Sequence, residues 1–156
     1  MNASNNPLLQ EWDTPFGLPP FHLIKPEHYL PAFEKAMAQH AAEITAIGEM
    51  SGPATFANTI EEAERTGRLL ERVSGVFFNL ASADTNDELL SLQREISPQL
   101  SRHYSSIYMN KAYFNRVDAA TKANEKLTPE QVRLLERYHT LLIRAGAKLS
   151  VRFRDQ

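Results

Sequence analysis

The sequence contains no cysteine among its 156 residues. That absence excludes disulfide bonds, thiolate nucleophiles and cysteine zinc sites, and it is typical of proteins from a reducing compartment. The N-terminus also lacks a basic segment followed by an apolar run, and no stretch reaches the roughly 20 apolar residues that span a bilayer. The sequence therefore predicts a cytoplasmic protein that has no membrane partner.

The chain also lacks a strong net charge. It has 17 Lys and Arg residues and 19 Asp and Glu residues, which give a formal net charge of -2. A nucleic-acid-binding domain usually concentrates far more basic charge, so we expect no nucleic-acid partner. Hydrophobic residues make up 42% and charged residues 23%, as in ordinary globular proteins. The length is enough for one domain with a sizeable core.

The usual reactive motifs are missing. The sequence has no glycine-rich phosphate loop and no Gly-x-Ser-x-Gly. A zinc hydrolase of the commonest type needs His-Glu-x-x-His, but no two of the histidines are four residues apart. The histidines are His22, His28, His40, His103 and His139. We therefore assign no catalytic, metal-binding or cofactor-binding residue to this chain.

Four weaker patterns have structural explanations. The pair Glu136 and His139 is one Glu-x-x-His, whereas a di-iron bundle needs two with further glutamates, so a metal-binding helical bundle stays a weaker alternative. Histidines on apolar helix seams, His40 and His103, more often hydrogen-bond a neighbour than act chemically. The third pattern is the acidic residues at a helix start, Glu61, Glu62 and Glu64, whose charge suits the helix dipole. The fourth is the tyrosines at helical spacing, Tyr104, Tyr108 and Tyr113, which indicate packing.

Residues 1–25 are predicted to form an extended arm. Four of the nine prolines fall there, which excludes a long helix. The arm is nevertheless too apolar for a disordered tail, so we expect it to lie on the helices with Trp12 and Phe21 as anchors.

Residues 26–156 are predicted to form an antiparallel bundle of about five helices, which makes the fold all-α. The chain is organised around Asn58–Ala83, a single long helix whose second half is apolar nearly all round and must be enclosed. A Thr85–Glu88 capping box starts the next helix, in which Pro98 produces a kink. The other predicted helices run from Pro26 to Ile47, from Lys111 to Ala120 with Asn110 as cap, and from Pro129 onward with Thr128 as cap and Leu149 on its apolar side.

Four segments resemble bacterial zinc oligopeptidases of the thimet oligopeptidase and neurolysin family. The run FGLPPFHLIKPEHYLPAFEKAM, Phe16–Met37, resembles the opening of these enzymes. Three more resemble the peptidyl-dipeptidase branch: NTIEEAERTGRLLERVSGVFFNLASADTNDEL, REISPQLSRHYSSIYMNKAYFNRV and LTPEQVRLLERYHTLLIRAGAKLS. The resemblance extends from Asn6 to Ser150, after which the chain departs from the family.

The resemblance implies an N-terminal piece of a larger, two-lobed helical enzyme, either a cloned fragment or a truncated reading frame. The family's zinc ligands lie in a C-terminal half, so no catalytic residue carries over and the chain alone is expected to be inactive. The resemblance also implies that the parent releases C-terminal dipeptides from short peptides and that this region forms a wall of its substrate channel. Apolar surface left uncovered predicts self-association. A stand-alone helical interaction module is the alternative.

Overall fold

The structure is a computed structural model that describes residues 5–148. Its longer helical elements are α1 (Tyr29–Glu49), a π-helical turn (Ala57–Glu61) that runs into α2 (Glu62–Arg65), α3 (Arg68–Ala83), α4 (Asp87–Tyr108), α5 (Lys111–Lys122) and α6 (Pro129–Arg144). No strand lies among the described residues, so the predicted all-α fold is confirmed. Within residues 5–148, no helix combines the length and apolar character needed to cross a membrane.

The described chain divides into two compact units, and each has its own apolar core. The first unit comprises residues 5–40 and 67–101, and the second comprises residues 41–66 and 102–148. Both α1 and α4 contribute residues to each unit, because a boundary falls within each helix. The division into an arm of residues 1–25 and a bundle of residues 26–156 stays a prediction, and Leu149 lies outside the described residues.

Aromatic side chains form the centre of the first unit. Phe77 of α3 is fully buried, and its ring makes edge contacts with Tyr29, Phe33 and Phe78 at centroid distances of 4.9, 5.6 and 5.1 Å. Such edge-to-face pairs add stabilisation beyond the burial of area. Val76 and Phe77 in the apolar half of α3 are thus buried as predicted, whereas Gly75, Asn79 and Ser82 are exposed, so this half is not enclosed all round. The same core contains Leu8, Ala32, Ala36, Leu70, Val73, Val76, Leu89 and Ile96.

The N-terminal segment covers one side of this core. Leu8 is fully buried, and the Trp12 indole N–H donates to the carbonyl oxygen of Pro7 at 2.8 Å. Arg72 of α3 donates to the carbonyl oxygen of Leu8 at 3.0 Å, and its guanidinium carbon lies 4.8 Å from the centre of the Trp12 ring. Trp12 is therefore an anchor, as predicted, and Leu8 is a second anchor that the sequence pattern did not indicate.

The prediction that Phe21 is an anchor is wrong, because its side chain is 54% exposed. The two prolines before it explain the difference. Pro20 is the buried residue of this segment, and the Phe21 N–H donates to the carbonyl oxygen of Pro19 at 2.8 Å. A proline fixes its own φ, so this tight turn buries the pyrrolidine ring of Pro20 and leaves the following aromatic side chain outside.

The stretch Asn58–Ala83 is not one helix, which corrects the sequence prediction. It starts as a π-helical turn, and the helix is interrupted at Thr66, which is extended with ψ 163, and at Gly67, which has φ +70. A Cβ atom on Gly67 would lie 3.3 Å from three atoms of the His40 ring. The pattern suggested a helix that tolerates a glycine, whereas the left-handed backbone here requires one.

Helix caps confirm most of the predicted starts. The Asn110 side chain accepts from the Tyr113 N–H at 3.0 Å, and Thr128 forms a capping box with Gln131. The cap of α4 corrects a prediction, because Asn86 rather than Thr85 accepts the N–H of Leu89, at 2.9 Å. An Asn side chain is at least as good a cap as Thr, which explains the shift by one residue.

The second unit contains the buried side chains of the α1 end, the π-helical turn, α5 and α6. Its core comprises Ile44, Ile47, Phe56, Ile60, Ala63, Ile107, Tyr113, Phe114, Val117, Ala120, Leu135, Leu142 and Ala147. Burial of Tyr113, Phe114 and Val117 confirms the predicted apolar side of α5. On α6, Leu135 and Leu142 are buried as predicted, whereas Val132 is 38% exposed.

Arg116 of α5 holds the connection between α1 and the π-helical turn. Its guanidinium donates to the carbonyl oxygens of Met50 and Gly52 at 2.5 and 3.3 Å and to the Asn58 side-chain oxygen at 2.9 Å. The same Asn58 oxygen accepts the Thr55 N–H at 2.9 Å. Hydrogen bonds from a buried cation are stronger than neutral ones, so Arg116 fixes a segment that has no helix of its own.

We expect Gly67→Ala to lower the free energy of unfolding by roughly 1–3 kcal/mol, because alanine at this positive φ is strained and its Cβ presses on the His40 ring. Gly75→Ala is the matched control, since Gly75 is an exposed residue of α3 and an added Cβ there meets no atom within 4 Å. The control should raise the same free energy by about 0.5–1 kcal/mol. Urea unfolding measures both, and equal stability of Gly67→Ala and the unsubstituted chain would contradict the account.

Candidate functional site

A carboxylate and an imidazole meet where α5 and α6 pack together in the second unit. The His139 Nε2 atom lies 3.0 Å from Asp118 Oδ1, and the Lys122 ammonium donates to Asp118 Oδ2 at 2.5 Å. The His139 ring also stacks on Phe114, with centroids 5.9 Å apart and planes within 7° of parallel. Phe114 therefore orients the imidazole from one face while Asp118 holds its edge.

The Asp118 carboxylate is charged at neutral pH. Its hydrogen bond from Lys122, followed by that with His139, holds the pKa of this carboxyl below the usual value. A carboxylate in this place orients a histidine, as in catalytic triads. A triad also needs a nucleophile beside the imidazole, and the polar contact that the structure gives His139 is this carboxylate. The pair by itself therefore orients a ring and joins two helices.

His139 and Glu136 line one open groove, at the side of α6 that faces the connection from α5. Other residues along it are Thr121, Glu125, Lys126 and Val132. In the described part of the chain, however, no three His, Asp or Glu side chains come together as ligands of one ion. The described residues therefore do not fit the zinc that the family resemblance implies for the parent.

The tyrosines of the second unit pack against or pair with neighbouring side chains. The Tyr138 hydroxyl donates to the Glu64 carboxylate, and burial, followed by this hydrogen bond, raises the pKa of Tyr138. Burial likewise raises the pKa of Tyr113, which confirms the predicted packing role of that residue. Tyr104 differs, because it is 39% exposed and stacks on Tyr108 at a centroid distance of 6.3 Å. The Tyr113 and Tyr138 hydroxyls therefore stay protonated at physiological pH.

The histidines on the apolar seams lie in different units, each among packing residues. His40 is half-buried with its ring beside Gly67, and His103 is buried with an edge contact to Tyr104 at 5.4 Å. His28 is an acceptor, since the Lys25 N–H donates to its Nδ1 at 3.0 Å.

The acidic cluster at the start of the 58–83 stretch is partly solvated, as predicted. Glu62 lies 2.5 Å from Arg65, and Glu61 lies 4.0 Å from the same guanidinium. These ion pairs are exposed and contribute little to stability. Glu64 differs from the prediction of a merely solvated face, because it accepts the hydrogen bond of Tyr138.

No sequence pattern indicated the two polar centres of α5, which are Arg116 and the Asp118–His139 pair. Asp118 and His139 are 21 residues apart on two helices, so no local spacing indicates their contact. The i,i+4 spacing of Asp118 and Lys122 was the one available signal. Arg116 is flanked by core residues on α5, but only the fold shows that carbonyl oxygens of another segment surround it.

The described residues thus define an all-α scaffold with packed cores and oriented polar pairs. No family model matches the chain. It is similar to curated proteins, however: it is 42% identical over 147 residues to the dipeptidyl carboxypeptidase of Escherichia coli (strain K12). It is 40% identical over 149 residues to that of Salmonella typhimurium, and 30% identical over 110 residues to oligopeptidase A of the latter organism.

The matched region covers most of this chain and little of the relatives. The matches to the two dipeptidyl carboxypeptidases cover 93% and 94% of this chain, but only 22% of the length of each relative. The match to oligopeptidase A covers 70% of this chain and 16% of that relative. The resemblance drawn from the sequence is confirmed: this chain is a relative of the dipeptidyl carboxypeptidases and oligopeptidase A, and it spans about a fifth of the length of the former.

We expect Asp118→Asn to lower the free energy of unfolding at neutral pH by roughly 0.5–1 kcal/mol, since the pair is partly exposed and screened by water. The folded-state pKa of Asp118 is lowered, so its contribution is present above the ordinary carboxyl range of about 4 and is lost as the pH falls through the lowered value. The free energies of unfolding of the unsubstituted chain and of Asp118→Asn should therefore become equal at acidic pH. Thermal melting across that pH range, with Asp13→Asn as an exposed control, measures the effect, and a difference independent of pH would contradict it.

Proposed function

We propose that this chain is the N-terminal helical part of a zinc-dependent peptidyl-dipeptidase or oligopeptidase, which releases C-terminal dipeptides from short peptides. Its role in that enzyme is to form one wall of the substrate channel. The chain supplies no zinc ligand and is inactive by itself. Its partners are the remaining catalytic part of the enzyme and, through that part, short peptides. A chain without cysteine fits a reducing compartment, and the cytoplasm is our proposed location.

One observation carries the proposal. Almost the whole chain aligns with dipeptidyl carboxypeptidases, yet it corresponds to 22% of their length. The described residues also bring no ligand group of three acidic or histidine side chains together. A well-packed helical segment that aligns with a small part of peptidases is best explained as a supporting region of a larger enzyme.

A stand-alone interaction module is the second candidate function. It is favoured by a cluster of exposed apolar side chains near the N-terminus, which includes Phe16 at 99% exposure. Exposed apolar patches commonly mark binding surfaces. Self-association through such a surface stays a prediction, and sedimentation of the purified chain tests it.

An exchange of regions tests the proposed function. The region of the Escherichia coli dipeptidyl carboxypeptidase that aligns with this chain is replaced by the chain itself, and hydrolysis of a blocked peptide is measured with zinc. We expect the chimera to keep activity within about tenfold of the relative, because a channel wall positions substrate without taking part in bond cleavage.

The control is the same relative with the region deleted, which should be inactive. A soluble, zinc-loaded chimera without activity would contradict the proposed function. An inactive chimera together with specific binding of an unrelated protein to the isolated chain would also contradict the proposed function. That combination would support the interaction module.

A further inference from the structure

We infer that residues 15–23, here called the exposed loop, form a docking surface for the remainder of the larger polypeptide. This inference rests on the proposed function and adds to it the surface through which the chain joins its catalytic part. The partner's matching surface is apolar and uncharged.

The exposed loop presents apolar side chains to solvent. Phe16 is 99% exposed, and Leu18, Phe21 and Leu23 are each more than half exposed. The sequence from residue 14 to residue 24 contains no Asp, Glu, Lys or Arg. Burial of apolar area is the main driving force of protein association, whereas a charged ligand finds no counter-charge within this loop.

The loop is fastened on both sides rather than hanging free. Before it, Trp12 packs against the core of the first unit under the Arg72 guanidinium. After it, Ile24 packs against the same core, and Pro20 is buried within the loop itself. Ordering a flexible segment on binding costs conformational entropy. A surface that is already fixed therefore loses less conformational entropy when it binds.

The backbone at Phe16 is held in an unfavourable conformation. Its φ is +60 and its ψ is 15, in the left-handed region that a bulky side chain rarely adopts. The Gly17 N–H donates to the carbonyl oxygen of Thr14 at 2.9 Å, and the Thr14 hydroxyl donates to the carbonyl oxygen of Leu18, which closes the turn. A fully exposed phenylalanine in a strained turn stabilises nothing in this chain, and strain of this kind concentrates at functional sites.

The length of the relatives identifies the occupant. The aligned region is 22% of each dipeptidyl carboxypeptidase, so nearly four-fifths of such a polypeptide lies outside it. That polypeptide is present in the same molecule at a high effective concentration, which favours an intramolecular contact over an external ligand. We therefore assign the remaining part of the polypeptide, rather than a second copy or a lipid surface, to the exposed loop.

Phe16→Asn tests the inference in two settings, the isolated chain and the chimera described above. Asparagine tolerates the left-handed conformation, so the isolated chain should melt at the same temperature or higher. In the chimera, the half-life of peptidase activity at an elevated temperature should fall roughly tenfold, because a central apolar anchor is lost. Leu90→Gln is the control, since Leu90 is also exposed, at 37%, in the first unit, and it should change the half-life by less than about twofold.

The outcomes separate the inference from the proposed function. An inactive chimera with the unsubstituted loop would overturn both. An active chimera whose half-life is unchanged by Phe16→Asn would overturn the docking surface alone. Sedimentation of the isolated chain with phosphatidylcholine and phosphatidylglycerol vesicles, abolished by Phe16→Asn, would assign the loop to a membrane and would also overturn the inference.

Discussion

Arginine side chains that donate to backbone carbonyl oxygens hold the non-helical segments of this protein in place. Arg72 reaches the carbonyl oxygen of Leu8 in the first unit, and Arg116 reaches those of Met50 and Gly52 in the second. A connecting segment leaves backbone groups without helix partners, and burial of such groups is costly unless a donor is present. A guanidinium group supplies several hydrogen-bond donors in a fixed plane. Each of these two arginines therefore donates to the backbone of a segment that lies outside the α-helices.

This arrangement bears directly on function. With Arg72 and the Trp12 ring holding the N-terminal segment, the loop that follows is presented outward with its apolar side chains in solvent. The oriented polar pairs of the second unit, such as Asp118 with His139, are occupied in joining helices. The described residues thus provide surfaces and packed cores, and the chain is similar in sequence to peptidases.

Helix boundaries were predictable because their signals are local. The caps Asn110 and Thr128 lie within three residues of the N–H groups that they accept, and the apolar stripe of α5 follows from its own spacing. The break at Gly67 was not predictable in the same way, since whether a glycine is tolerated or required depends on φ and on the neighbouring His40 ring. Long-range contacts could not be predicted from the sequence for a related reason. Arg116 and the Asp118–His139 pair acquire their partners only when distant segments pack, and burial of Leu8 rather than Phe21 depends on a turn of two prolines.

The most direct test of the central claim is the peptidase activity of the purified chain on a short blocked peptide with added zinc, with metal analysis of the same sample. The account predicts no turnover and no stoichiometric metal, because under the proposed function the reaction centre lies in another part of a larger enzyme. Turnover that a chelator abolishes, with one metal ion per chain, would contradict it and would place a catalytic site within these residues.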